Sequence, residues 1–105
     1  MIKNLIKSGN VERLSTGEEG VRVSLQYELK LTEPSRSARL NILRAKFECI
    51  AKQIKLQGAE VDLNSISVSG QTVEAILPID RWEQIFKKLS EEKIRVDLLI
   101  DRQIL

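Results

Sequence analysis

The chain has 105 residues, 42% of them hydrophobic and 30% charged, which is the size of one domain and lies far from the low-hydrophobicity, high-charge composition of disordered segments. Its 17 Lys and Arg stand against 15 Asp and Glu, a net charge of +2 that favours no polyanionic partner, and its single cysteine, Cys49, excludes an internal disulfide. The absence of histidine removes the commonest general base, the commonest zinc ligand and the usual partner of a serine or cysteine nucleophile.

Residues 1–20 read as an N-terminal arm or an extra strand. Residues 11–15, followed by Gly17-Glu18-Glu19-Gly20, have the composition of a hairpin with the segment beyond them. From 21 to 31 every odd position is apolar (Val21, Val23, Leu25, Tyr27, Leu29, Leu31) and every even one polar, the period of a half-buried strand. Thr32, Glu33, Pro34 and Ser35 break that period. Pro34 is tolerated in a first helical turn, and Thr32 or Ser35 can cap one. A long helix is predicted over 35–57, with Leu40, Leu43, Phe47, Ile50, Ala51 and Ile54 on its inner face and Gly58 as its stop.

Residues 60–68 alternate with a phase change at Asn64-Ser65, which predicts a bulge or a strand end. Ser69-Gly70-Gln71 is a tight turn, and Val73, Ala75 and Leu77 complete a hairpin. Asp80 and Glu83 have capping-box spacing ahead of a second helix whose inner face is Trp82, Ile85, Phe86 and Leu89. Ile94, Val96, Leu98 and Ile100 form a last strand. The order over 21–105 is βαββαβ, which predicts an α+β ferredoxin-like two-layer sandwich with both helices on one face of an antiparallel sheet. In that arrangement the first core strand already has two neighbours. The N-terminal segment must therefore pack as an arm, or the final strand must be displaced.

The motifs of chemistry are weak. Ser90-Glu91-Glu92-Lys93 has the S-x-x-K spacing of penicillin-recognising serine enzymes without their companion motifs, in a position where a helix exit is polar anyway. Glu60 with Asp62, and Asp97 with Asp101, belong to strands at opposite edges, about 14 Å apart at the usual inter-strand spacing, too far to share a reacting atom. No nucleotide-binding glycine motif and no metal-ligand spacing occurs, so the expectation is a non-enzymatic protein without catalytic, metal or cofactor residues. No apolar run reaches signal-peptide or membrane-span length, so it is expected to be cytoplasmic and without a membrane partner. The exposed sheet face (Arg22, Ser24, Gln26, Glu28, Lys30, Glu74, Ile76) offers no aromatic ring on which a base would stack.

The long helix carries the informative charge. Between Pro34 and Gln57 there are six bases and one acid, a net of +5, against eleven bases and fourteen acids elsewhere, a net of −3. On a helical wheel Ile42, Ala45, Cys49 and Leu56 lie nearly opposite the inner face, so the helix has two apolar stripes flanked by bases. The leading expectation is a protein-interaction or assembly module, meeting a protein partner or its own copy through Arg39, Ile42, Lys46, Cys49, Lys52 and Leu56. An arm using Ile2, Leu5, Ile6 and Leu14 would cover the same stripe. The alternative is nucleic-acid binding through Arg36, Arg39, Arg44 and Lys46. A third expectation, a regulatory domain that binds a small molecule, rests on fold analogy alone.

Overall fold

Alternating side chains dictate a sheet with one greasy and one polar face, and the computed structural model, which describes residues 11–28 and 30–99, has that form. Its elements are β1 (Val11–Arg13), β2 (Glu19–Tyr27), α1 (Arg36–Lys55), β3 (Glu60–Ser67), β4 (Thr72–Pro78), α2 (Trp82–Glu91) and β5 (Ile94–Leu98), with a 3-10 turn at Ile79–Arg81 ahead of α2. The strands make one five-stranded antiparallel sheet. β4 lies between β2 and β3, and both β1 and β5 pair with β2.

The expected conflict over the N-terminal segment has a simple resolution. β4 occupies one edge of β2 from Gly20 to Gln26. Along the other edge β1 takes Glu19 to Val21 and β5 takes Val23 to Tyr27, so two short strands lie end to end beside one long one. The strand begins at Glu19, ahead of the expected Val21, because β1 supplies partners there. It ends at Tyr27 although the alternation continues to Leu31, because β4 and β5 both run out: the Tyr27 N–H donates to Gln71 O and the Glu28 N–H to Lys93 O, the last such bonds. Residues 1–10, Leu29 and Ile100 lie outside the described residues, and so does the expected cover by Ile2, Leu5 and Ile6.

One core holds the two layers together. Val21, Val23, Leu25, Val73, Ala75 and Leu77 from the sheet meet Leu43, Phe47, Ile50 and Ile54 of α1 and Ile85 and Leu89 of α2 in a single buried cluster. Because these strand residues share one parity in register, both helices cover the same face. Burying each such Leu, Ile or Phe side chain contributes about 1.5–3 kcal/mol. Trp82 and Phe86 pack edge to face, with centroids 5.1 Å apart, at the margin of the cluster.

Local signals set the helix ends. The Ser35 hydroxyl accepts from Ala38 N–H at 3.1 Å and caps α1. Gly58, at φ +93°, turns the chain out of it. The expected Asp80–Glu83 capping box does not form, because the 3-10 turn intervenes and makes Arg81 the residue before α2, with no side-chain cap. The β3–β4 register shifts between Asp62 and Ser67, so the phase change marks a bulge and not a strand end.

Candidate functional site

The antiparallel order sorts the connections into two ends. Where β2 starts, the β1–β2 loop, the α1–β3 turn and the β4–α2 turn come together. Where it finishes, residues 30–35, the β3–β4 turn and the α2–β5 turn do so.

The first end is laced. Ser15 donates both its N–H (2.8 Å) and its hydroxyl to the Glu60 carboxylate, which holds Glu60 below the usual carboxylate range. Arg81 donates to Gln57 O at 2.7 Å and pairs with Glu18 at 2.9 Å. Leu14, 3% exposed, does not cover the outer stripe of α1 as expected but lies over Gly20 on the sheet face away from the helices. A Cβ on Gly20 would sit 2.6 Å from Ile76 Cγ2, 3.1 Å from Leu77 O and 3.3 Å from Leu14 Cγ, so only glycine admits this lid. Beside it Arg22 pairs with Glu12 on one side and Glu74 on the other. The Arg22 hydrogen bond lowers the Glu12 pKa, and Glu12 in turn strengthens the hold of Arg22 on its proton. The polar sheet face is thus closed on itself over this stretch.

The second end is open. A groove of about 660 Å³ lies between residues 30–31, the first turn of α1 and the β3–β4 turn. Lys30, Arg36 and Arg39 bring three positive charges to it and Ser67 and Ser69 two hydroxyls; Leu31, Ile66 and Val68 make an apolar wall. No carboxylate of the described residues lines it. Arg39 gives one Nη1 hydrogen bond to Glu33 O at 3.2 Å, and neither Lys30 nor Arg36 has a carboxylate partner among the described residues.

The basic residues singled out in the sequence therefore separate. Arg36 and Arg39 line the groove, whereas Arg44 is exposed on the other flank of α1. Lys46 reaches the opposite layer margin, paired with Glu92 at 3.0 Å and 5.4 Å above the Tyr27 ring; the pair lowers the Glu92 pKa. Lys46 is thus engaged inside the chain. Lys30, expected on the open face of the first strand, lies beyond the end of β2 and lines the groove; no local spacing connects it, Ser67 and Ser69 to Arg36, and only strand pairing brings the β3–β4 turn to the head of α1.

The outer stripe of α1 divides too. Ile42 is half-buried, Cys49 and Lys52 are exposed, and Leu56 is 89% exposed at the helix end. Leu56 borders a second groove, of about 410 Å³, against Gln84, Lys87 and Lys88 of α2. Gln53, also on its wall, donates to Cys49 Sγ at 3.5 Å while its buried Oε1 has no partner among the described residues. Arg39 and Leu56 are seventeen residues apart on the helix, about 26 Å at 1.5 Å per residue, so they serve separate surfaces.

Glu60 and Asp62 on β3 and Asp97 on β5 lie at opposite sides of the sheet; Asp101 is outside the described residues. Among the described residues no three His, Cys, Asp or Glu side chains converge on a metal-sized site, and no helix is long and apolar enough to cross a membrane. Compared with models of known families, with curated proteins and with solved structures, the chain matches none.

Proposed function

We propose that this chain is a non-enzymatic interaction module, a ferredoxin-like core that binds an acidic protein surface through the C-terminal part of α1 and the adjoining face of α2. The succession of pairings from β5 to β2, β4 and β3 supports the ferredoxin-like assignment, with β1 as an addition to the β2 edge. The observation that carries the functional reading is Leu56, a large apolar side chain left 89% exposed beside a groove. Lys52 and Lys55 on α1 and Lys87 and Lys88 on α2 lie around it with one acid, Glu91, an apolar centre with a mainly basic rim. The rim selects the partner. Two copies meeting face to face would oppose their lysines, whereas an acidic surface is steered toward them.

The test is co-purification of the full chain with its associates at low salt, with native mass and the 260/280 nm absorbance ratio recorded. A bound acidic protein that dissociates as salt rises, and that Leu56→Asp and Lys52→Glu each lose, is the expected result. Leu56→Asp should leave stability within about 0.5 kcal/mol, since it alters an exposed position. A chain that is monomeric and unaccompanied at low salt, or a complex indifferent to both substitutions, overturns the proposal. A high 260/280 nm ratio would favour nucleic-acid binding instead.

A further inference from the structure

The groove at the open end of the sheet lies at the far end of α1 from Leu56, and its chemistry is different. We infer that it binds a phosphate monoester of small-molecule size, with the phosphate held by Lys30, Arg36 and Arg39 and the organic part resting on Leu31, Ile66 and Val68.

Three observations lead there. First, the volume of about 660 Å³ is that of a small-ligand pocket. Second, its three cations come from two separate stretches of chain, before and within α1, and converge without a carboxylate among the lining residues. Among the described residues Arg22, Arg81 and Arg95 are each matched to an acid within the chain, whereas the groove gathers three cations that are not. An anionic ligand would complement the charge that these three cations bring together. Third, the wall opposite the cations is apolar and the rim carries the Ser67 and Ser69 hydroxyls, which places a polar and an apolar binding surface within one concavity.

The charge count selects phosphate over carboxylate. A monoester carries about −1.5 to −2 at neutral pH and three acceptor oxygens, which suits two guanidinium forks and an ammonium better than a single negative charge does. The head of α1 adds to this. Ser35 caps Ala38 N–H and its carbonyl accepts from Arg39 N–H, so the N–H groups of Arg36 and Ser37 keep no acceptor within the helix. Convergence also favours a discrete ligand over a nucleic-acid strand. A strand needs cations in a row, and here Arg44 is on the other flank and Lys46 is paired with Glu92.

The experiment titrates the full chain, by calorimetry and by amide chemical shifts, with four probes: inorganic phosphate, adenosine monophosphate, adenosine, and a single-stranded 12-mer lacking terminal phosphates. Expected are saturable binding of the monophosphate, competition by inorganic phosphate, much weaker binding of adenosine, and shifts concentrated at residues 36–37 and 67–71. Arg36→Ala and Lys30→Ala alter exposed side chains, and each should weaken the monophosphate about tenfold or more with unfolding unchanged. The inference is overturned by absence of saturable monophosphate binding at millimolar concentration, by binding that both variants retain, or by shifts elsewhere. Tighter binding of the 12-mer than of the monophosphate would overturn it in favour of nucleic acid. Binding of inorganic phosphate alone would leave the cation cluster in place and overturn the role of the apolar wall.

Discussion

Where β2 begins, Arg81 joins the α1–β3 turn to the β1–β2 loop, Ser15 grips Glu60, and Leu14 closes over Gly20. Where β2 ends, Lys30 and Arg36 border a groove without a carboxylate between them. Both ends are made of connections that the same antiparallel order gathers. The difference is electrostatic matching: at one end Glu60 is held by Ser15 and Arg81 by Glu18, and at the other Lys30 and Arg36 have no carboxylate partner among the described residues. Contacts that tie the connections together and cations without an acid partner thus lie at opposite ends of one small core.

Substitutions can break that division. The largest effect is expected for Gly20→Ala, whose new methyl group meets Ile76 and the Leu77 carbonyl and displaces the Leu14 lid. A loss of about 1–3 kcal/mol, the usual cost of overpacking, should appear as a lower urea midpoint with an unchanged slope. An unaltered midpoint would mean the lid is not built as described. Arg81→Ala removes a hydrogen bond to Gln57 O and a half-exposed ion pair and should cost about 1 kcal/mol. Arg36→Ala, the same truncation at the open end, should stay within about 0.5 kcal/mol by the same measurement. Equal losses at the two positions would erase the contrast.

The smallest effect is a pH dependence. Glu12, Glu60 and Glu92 all have folded-state pKa values below the ordinary 4.5, through Arg22, Ser15 and Lys46 respectively. Their contribution is therefore complete above pH 4.5 and is lost as the pH falls below it through the depressed values. Two of the three sit at the laced end. Chemical denaturation between pH 6 and pH 3 should show this acid loss, reduced in Glu60→Gln, which has no carboxylate to protonate. An identical acid limb in that variant would remove Glu60 from the account.

How much of this was legible in the residues depends on range. The strand period of Val21, Val23 and Leu25 and the inner stripe of Leu43, Phe47, Ile50 and Ile54 follow from spacing, because each is a pattern among near neighbours in sequence, whereas the structure chose Ser35 over Thr32 as the cap and a bulge over a strand end in β3. The early end of β2 at Tyr27 and the unformed Asp80 cap were not legible, since one depends on where β4 and β5 stop and the other on a 3-10 turn. The outer stripe of α1 was readable as a pattern. Its division into a half-buried Ile42, an exposed Leu56 and a Lys46 paired with Glu92 was not.

By itself the sequence determined the order and faces of the elements and the surplus of positive charge on α1, since periodicity and composition are local properties. Only the tertiary structure decided which charges are matched. Glu60 meets Ser15, Arg81 meets Glu18 and Lys46 meets Glu92 across 45, 63 and 46 residues. The Lys30, Arg36 and Ser69 side chains converge by the same means. Such meetings depend on strand pairing, which closes loops far longer than any spacing rule spans, and for that reason the +2 of the whole chain held no sign of where its free charge would lie.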